Sequence, residues 1–178
     1  MPACNPTGNL EFTLGSGIAK NNGESTTHDY VLQLKTLFKP LETNGWGIGL
    51  AIGKIRHPAI IPGPNNLGNT YAYIPLSTSF QDDKIVMHIN LGWQHDHASD
   101  QDSMTWGVGG EFQLLPRLTA IAETFGDNRT QPYWQTGLRF TIVPDLFQMD
   151  TTIGQQVKSG SDGQWVSFGI RLTPDHLF

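Results

Sequence analysis

Cysteine is nearly absent from this chain. Cys4 is the single one in 178 residues, so no internal disulfide can hold the fold together. Charge is scarce too: Asp, Glu, Lys and Arg make up 15% of residues, against about 25% in ordinary soluble domains. The balance is acidic, with a net charge of -5, and no basic stripe or stacking motif runs through the sequence. Both features argue against a nucleic-acid partner. Long apolar runs are missing as well; no stretch approaches the roughly 18 residues of a membrane helix. The start, Met1-Pro2-Ala3-Cys4, has neither the charged nor the apolar region of a signal peptide. For an exported protein the expectation is then a mature chain whose signal has been removed. Cys4 after Ala3 has the form of a lipoprotein acceptor site without its upstream apolar stretch. A plain thiol in a flexible segment, residues 1–8, is the expectation.

What the chain does have is alternation. Trp46, Ile48, Leu50 and Ile52 alternate with Gly47, Gly49, Ala51 and Gly53. Successive side chains of a β-strand point to opposite faces, so this segment has one bulky apolar face and one nearly bare face. A water-facing strand would carry Thr, Lys or Glu on its second face, where glycine only weakens it. The pattern fits a bulky face that meets lipid and a bare face that lines a crowded lumen.

The same period recurs in about ten segments. They fall near 9–19, 29–39, 46–55, 69–80, 84–95, 103–114, 117–126, 132–142, 146–157 and 164–173. In most of them the charged residues share the phase of the small ones, which points to a polar interior. In the seventh, placing Glu123 inward sets Leu118, Ala120 and Ala122 outside and forces Ile121 inside.

Connections alternate in length. Residues 39–44, 81–83, 115–116 and 143–145 make short links, while 20–28, 56–68, 96–102, 127–131 and 158–163 are longer and polar. Outward aromatics sort into two levels: Tyr30, Trp93, Trp106 and Trp134 towards the long loops, Phe38, Trp46, Phe80, Phe112, Phe140 and Phe147 towards the short turns. Short turns on one side, long loops on the other and two aromatic girdles describe an outer-membrane barrel. The fold class expected is therefore all-β: one antiparallel up-and-down transmembrane β-barrel of about ten strands, a single domain over residues 1–178. The alternative is a soluble antiparallel barrel or sandwich with the apolar face turned inward.

Three stretches carry a resemblance: AETFGDN (Ala122–Asn128), YWQTGLRFTIVPDLFQMDTTIG (Tyr133–Gly154) and WVSFGIRL (Trp165–Leu172). They are similar to uncharacterised proteobacterial outer-membrane proteins and, more loosely, to the barrel family linked to the meta-pathway of phenol degradation. The resemblance implies a Gram-negative outer-membrane location and a porin-like barrel, with transport of small molecules as its function. It brings no catalytic motif. The chain also ends in Phe178, as many such barrels do, although Thr173-Pro174-Asp175-His176 interrupts the alternation before it.

The inward phase supplies the candidate lumen-lining residues: Glu11, Gln33, Lys35, Tyr71, Tyr73, His88, Asn90, Glu111, Gln113, Glu123, Gln135, Arg139, Asp150 and Arg171. Buried charges need partners, so Glu123 with Arg139 and Asp150 with Arg171, on neighbouring strands, are the expected ion pairs. Ten strands enclose less space than the 16–18 of open porins, which excludes a wide aqueous pore. The weak metal candidates are His95 and His97, which alternate beside Asp96, Asp100 and Asp102; His28 and His57 are more distant. A solvated loop is the ordinary reading of that cluster.

No cofactor is expected. The expected partners are membrane lipid and small solutes, hydrophobic ones among them. Three functions remain open: a narrow channel, a non-catalytic barrel docking a partner through its loops, and a surface hydrolase of the ten-stranded outer-membrane protease type. The apolar run Ala59-Ile60-Ile61 in the Pro-rich 56–68 loop suits a lid or docking surface.

Overall fold

The computed structural model describes residues 3–4, 10–19, 27–56, 68–144, 146–157 and 164–172. Strands account for nearly all of them: β1 (Ala3–Cys4), β2 (Leu10–Ala19), β3 (Thr27–Lys39), β4 (Trp46–Arg56), β5 (Asn69–Phe80), β6 (Ile85–Asp96), β7 (Gln101–Leu115), β8 (Leu118–Asp127), β9 (Tyr133–Val143), β10 (Phe147–Gln156) and β11 (Gln164–Leu172). They form one sheet in chain order, each strand beside its sequence neighbours. The ten expected strands are all present, and the dipeptide β1 adds a short pairing with β2, Ala3 opposite Thr13 and Cys4 opposite Phe12.

By contact density the chain forms two compact units. One comprises Met1–Leu41, Trp46–Leu76 and Asn90–Thr105; the other comprises Glu42–Gly45, Ser77–Ile89 and Trp106–Phe178. In the first unit, β2 and β3 pair from Leu10 opposite Thr36 to Ala19 opposite Thr27. A bulge between Leu37 and Lys39 ends the regular β3–β4 register, and Phe38 between them is exposed in phase with Leu32 and Leu34. In the second unit β8 to β11 are in continuous register, with one shift at Phe147/Gln148.

The turn between β5 and β6 is tied to the turn before β4, within the second unit. Gln81, Asp82 and Asp83 all have positive φ (53°, 56° and 65°), and so does Asn44 (54°). Asn and Asp tolerate that region better than other side-chain-bearing residues, because their short polar groups bond locally. Here Asn44 Nδ2 donates to Asp82 Oδ1 at 2.7 Å, and the Asp82 N–H donates back to Asn44 Oδ1 at 2.8 Å. The Ser79 hydroxyl and that of Thr43 (2.7 Å) both donate to Asp83. These two hydrogen bonds, Ser79 first, hold the Asp83 carboxyl below the usual carboxylate range. The short link was legible as a turn; its left-handed course was not.

Proline inside a strand normally marks an edge or a break. Pro75 nevertheless sits within β5, and Ile74 and Leu76 on either side keep the phase.

Candidate functional site: a polar strand face opposite an exposed apolar one

The burial of this protein is inverted relative to a soluble domain. Among the described residues the buried hydrophobic core is Ala51 alone, and the buried polar residues are Thr13, Asn69, Ser79 and Thr152. Large apolar side chains are exposed on every strand from β2 to β11 except β8, whose Leu118, Ile121 and Phe125 are half-buried. Exposed examples are Phe12, Leu34, Ile52, Ile74, Leu91 (61%), Met104 (64%), Leu138, Ile153 and Phe168 (83%). The alternation therefore gives two faces, and the bulky one is exposed and not packed into a core.

Across β9, β10 and β11 the outward face can be followed row by row. Phe140, Met149 and Ile170 lie side by side, then Leu138, Thr151 and Phe168, then Thr136, Ile153 and Val166. The last row is Trp134, Gln155 and Gln164, where Gln164 Nε2 donates to Gln155 Oε1 at 3.0 Å. The face thus ends in an amide pair beside a tryptophan.

The opposite face is polar and internally bonded. In the first unit Gln33 Oε1 accepts hydrogen bonds from both Tyr71 and Tyr73, each at 3.1 Å, and the two rings stack with centroids 6.1 Å apart. Gly53 makes room for them, because a Cβ there would lie 2.6 Å from the Tyr71 hydroxyl. Glu11 stands directly opposite Lys35 and accepts from the Thr13 hydroxyl at 3.2 Å. Asn90 is half-buried in this unit. In the second unit His88 Nδ1 and the Ser77 hydroxyl are 2.8 Å apart. The Gln113 side chain is exposed, while its backbone N–H donates to the Lys84 carbonyl at 2.7 Å.

The expected ion pairs need correction. Arg139 does not meet Glu123; its Nη1 lies 2.7 Å from Glu111 Oε2, reaching past β8 to β7. Register is the reason. Arg139 is opposite Thr119, whose small side chain leaves the way open, whereas Glu123 is opposite Gln135, four residues further along. Gln135 Nε2 donates to Glu123 Oε1 at 2.6 Å, so a neutral amide meets that carboxylate. Asp150 and Arg171 are not direct partners either: Asp150 is opposite Arg139 and Gly169, and the exposed Arg171 is opposite Gln148. The Asp150 carboxyl folds over Gly169, into space a Cβ would occupy.

Ile121 shares its face with Glu123, two residues away on the same strand, and has Gly137 as its cross-strand neighbour. An aromatic group on this same face was not singled out in the sequence. Phe125, Tyr133 and Trp165 are in mutual contact, with centroids 5.7 Å, 5.9 Å and 6.5 Å apart. The signal was there, since Phe125 has the phase of Glu123 and Trp165 that of Ser167.

At the other end of β6, His95 Nδ1 lies 3.0 Å from Asp102, which also accepts from Trp93 Nε1 at 3.1 Å. His97 Nε2 is 2.9 Å from the Thr70 hydroxyl, and the His95 and His97 rings meet edge to face at 4.5 Å. Asp96 instead caps the turn, accepting from the Ala98 N–H and the Ser99 hydroxyl. The two imidazoles are thus committed to different partners, and among the described residues no group of three or more His, Cys, Asp or Glu is arranged to hold a metal. The side chains of Cys4 and His28, together with His57, residues 57–67 and Phe178, lie outside the described residues.

No curated protein and no solved structure matches the chain. Residues 1–173 match the family described as uncharacterised conserved protein UCP029691, and the chain belongs to that family.

Proposed function

We propose that this protein is an outer-membrane β-barrel of a Gram-negative bacterium whose polar face lines a narrow passage for small molecules. The observation that carries the proposal is the exposed apolar face. Each large aliphatic or aromatic side chain moved from water into hydrocarbon gains about 1.5–3 kcal/mol. A face bearing such residues on strand after strand is far larger than the few hundred Å² of apolar patch that monomeric soluble proteins tolerate. A soluble fold would bury those side chains in a core, so their exposure supports the membrane reading. The row of Trp134, Gln155 and Gln164 fits the level at which hydrocarbon gives way to headgroups.

The bonded polar face suits a passage that is narrow. Gln33 with its two tyrosines and Glu111 with Arg139 fill space that a wide pore would leave to water. Planar-bilayer recordings test this reading. The natural chain should show small, cation-preferring conductance steps. Joint replacement of Glu111 and Arg139 by Ala should raise the conductance on the order of twofold by emptying one level of the wall. A folded, inserted protein that never conducts, with or without the pair, would leave the barrel and refute the passage.

A further inference from the structure

We infer that Phe125, Tyr133 and Trp165, with Glu123 beneath them, form a binding corner for a small organic cation of the quaternary-ammonium type. The inference concerns the same face as the proposed passage and rests on that reading only in treating the ligand as a travelling solute.

The geometry begins with register. Phe125 and Tyr133 are cross-strand partners, so their rings leave neighbouring strands on one face, 5.7 Å apart and only 19° from parallel. Trp165 belongs to β11, with β10 in between. It reaches Tyr133 because β10 carries Gly154 there: the indole lies over Gly154, in the space a Cβ would occupy. The indole is inclined by 56° to Phe125 and 57° to Tyr133. Two near-parallel rings and a third inclined to both make a corner, and all three residues are only half-buried, so they keep accessible surface.

Charge decides what such a corner holds. An aromatic face carries negative quadrupole density and attracts cations whose centres come within about 6 Å of the ring centroid. A trimethylammonium group is broad enough to touch three rings at once and is too weakly hydrated to resist leaving water. Glu123 lies two residues before Phe125 on the same face of β8, about 7 Å along the strand. Its partner is the neutral Gln135 amide, since Arg139 is taken by Glu111, so its negative charge remains to act on a ligand. Asp127, the last residue of β8 and in phase with Glu123 and Phe125, and Arg129 in the adjoining turn carry one charge of each sign. A neutral apolar ring would use the same stacking surface but gain nothing from Glu123, and an anion would be repelled by it.

The test is equilibrium binding to the full chain folded in a neutral sugar-headed detergent, because a phosphocholine headgroup would compete. Choline is titrated against 3,3-dimethyl-1-butanol, which has the same shape without the charge, with equilibrium dialysis and tryptophan fluorescence as readouts. Choline should bind at least tenfold more tightly than its neutral counterpart. Trp165→Leu should weaken choline binding about tenfold. Glu123→Gln, which keeps shape and hydrogen bonding, should weaken choline severalfold and leave 3,3-dimethyl-1-butanol unchanged. Equal affinity for the two compounds, no choline binding by the natural chain, or choline binding indifferent to Glu123→Gln would each overturn the inference. Binding is read without any membrane passage, so a protein that binds choline but never conducts would refute the passage and leave the corner standing.

Discussion

Leu91→Lys is expected to cost about 2–4 kcal/mol of stability in a bilayer, while Asn90→Lys, one residue earlier, costs under about 1 kcal/mol. The two positions differ only in face. Leu91 is 61% exposed, lies near the middle of β6 and belongs to the apolar set. Asn90 belongs to the polar set and is half-buried. A lysine on the hydrocarbon side must stay charged in an apolar medium or reach for the interface, whereas one on the polar side meets water and hydrogen-bonding groups. Pairing Leu91→Lys with Leu138→Lys, on β9, should roughly double the loss, since the sites share no partner. Against a total stability of about 5–15 kcal/mol, the double variant should lose a large share of its stability in vesicles. A soluble protein would show the reverse order, because charge on an already exposed leucine is harmless in water. Urea titration of vesicle-folded protein distinguishes the two.

The second large effect lies on the other face. Gly137→Val is expected to destabilise the second unit by about 3 kcal/mol, at the upper end of overpacking costs. A Cβ at Gly137 would sit against the Thr151 carbonyl oxygen and 2.8 Å from both Cα and Cγ2 of Thr152. Two of those three atoms are backbone and cannot rotate away. Leu138→Val, one residue on, removes one methylene from the exposed face and should cost under about 1 kcal/mol. Thermal unfolding in detergent measures both; a Gly137→Val protein as stable as the natural chain would mean that β9 and β10 are not in this register.

How much of this was legible follows from what each feature depends on. Strand phase depends only on the two environments a strand separates, so Trp46 to Gly53 could be read directly and the exposed set matches the apolar phase. That Ile121 lies on the polar face followed from Glu123 two residues away. Ion pairing depends on register and reach, which composition does not encode. Arg139 bypasses its neighbouring strand because β8 offers Thr119 at that level, and no local pattern states this. The Phe125–Tyr133–Trp165 corner needs Gly154 on the intervening strand, a coincidence of four strands. His95 and His97 looked like co-ligands by spacing, but Asp102 and Thr70 draw them to separate partners.

On the proposed reading, the exposed apolar face meets the hydrocarbon of a membrane. The most direct measurement dilutes urea-unfolded protein into buffer alone or into short-chain phosphatidylcholine vesicles, then records far-ultraviolet circular dichroism and migration on an unheated gel. A membrane barrel should give a β-sheet spectrum and a heat-sensitive mobility shift with vesicles, and should aggregate without them. A monomeric β-sheet protein that folds in plain buffer and ignores the vesicles would contradict that reading.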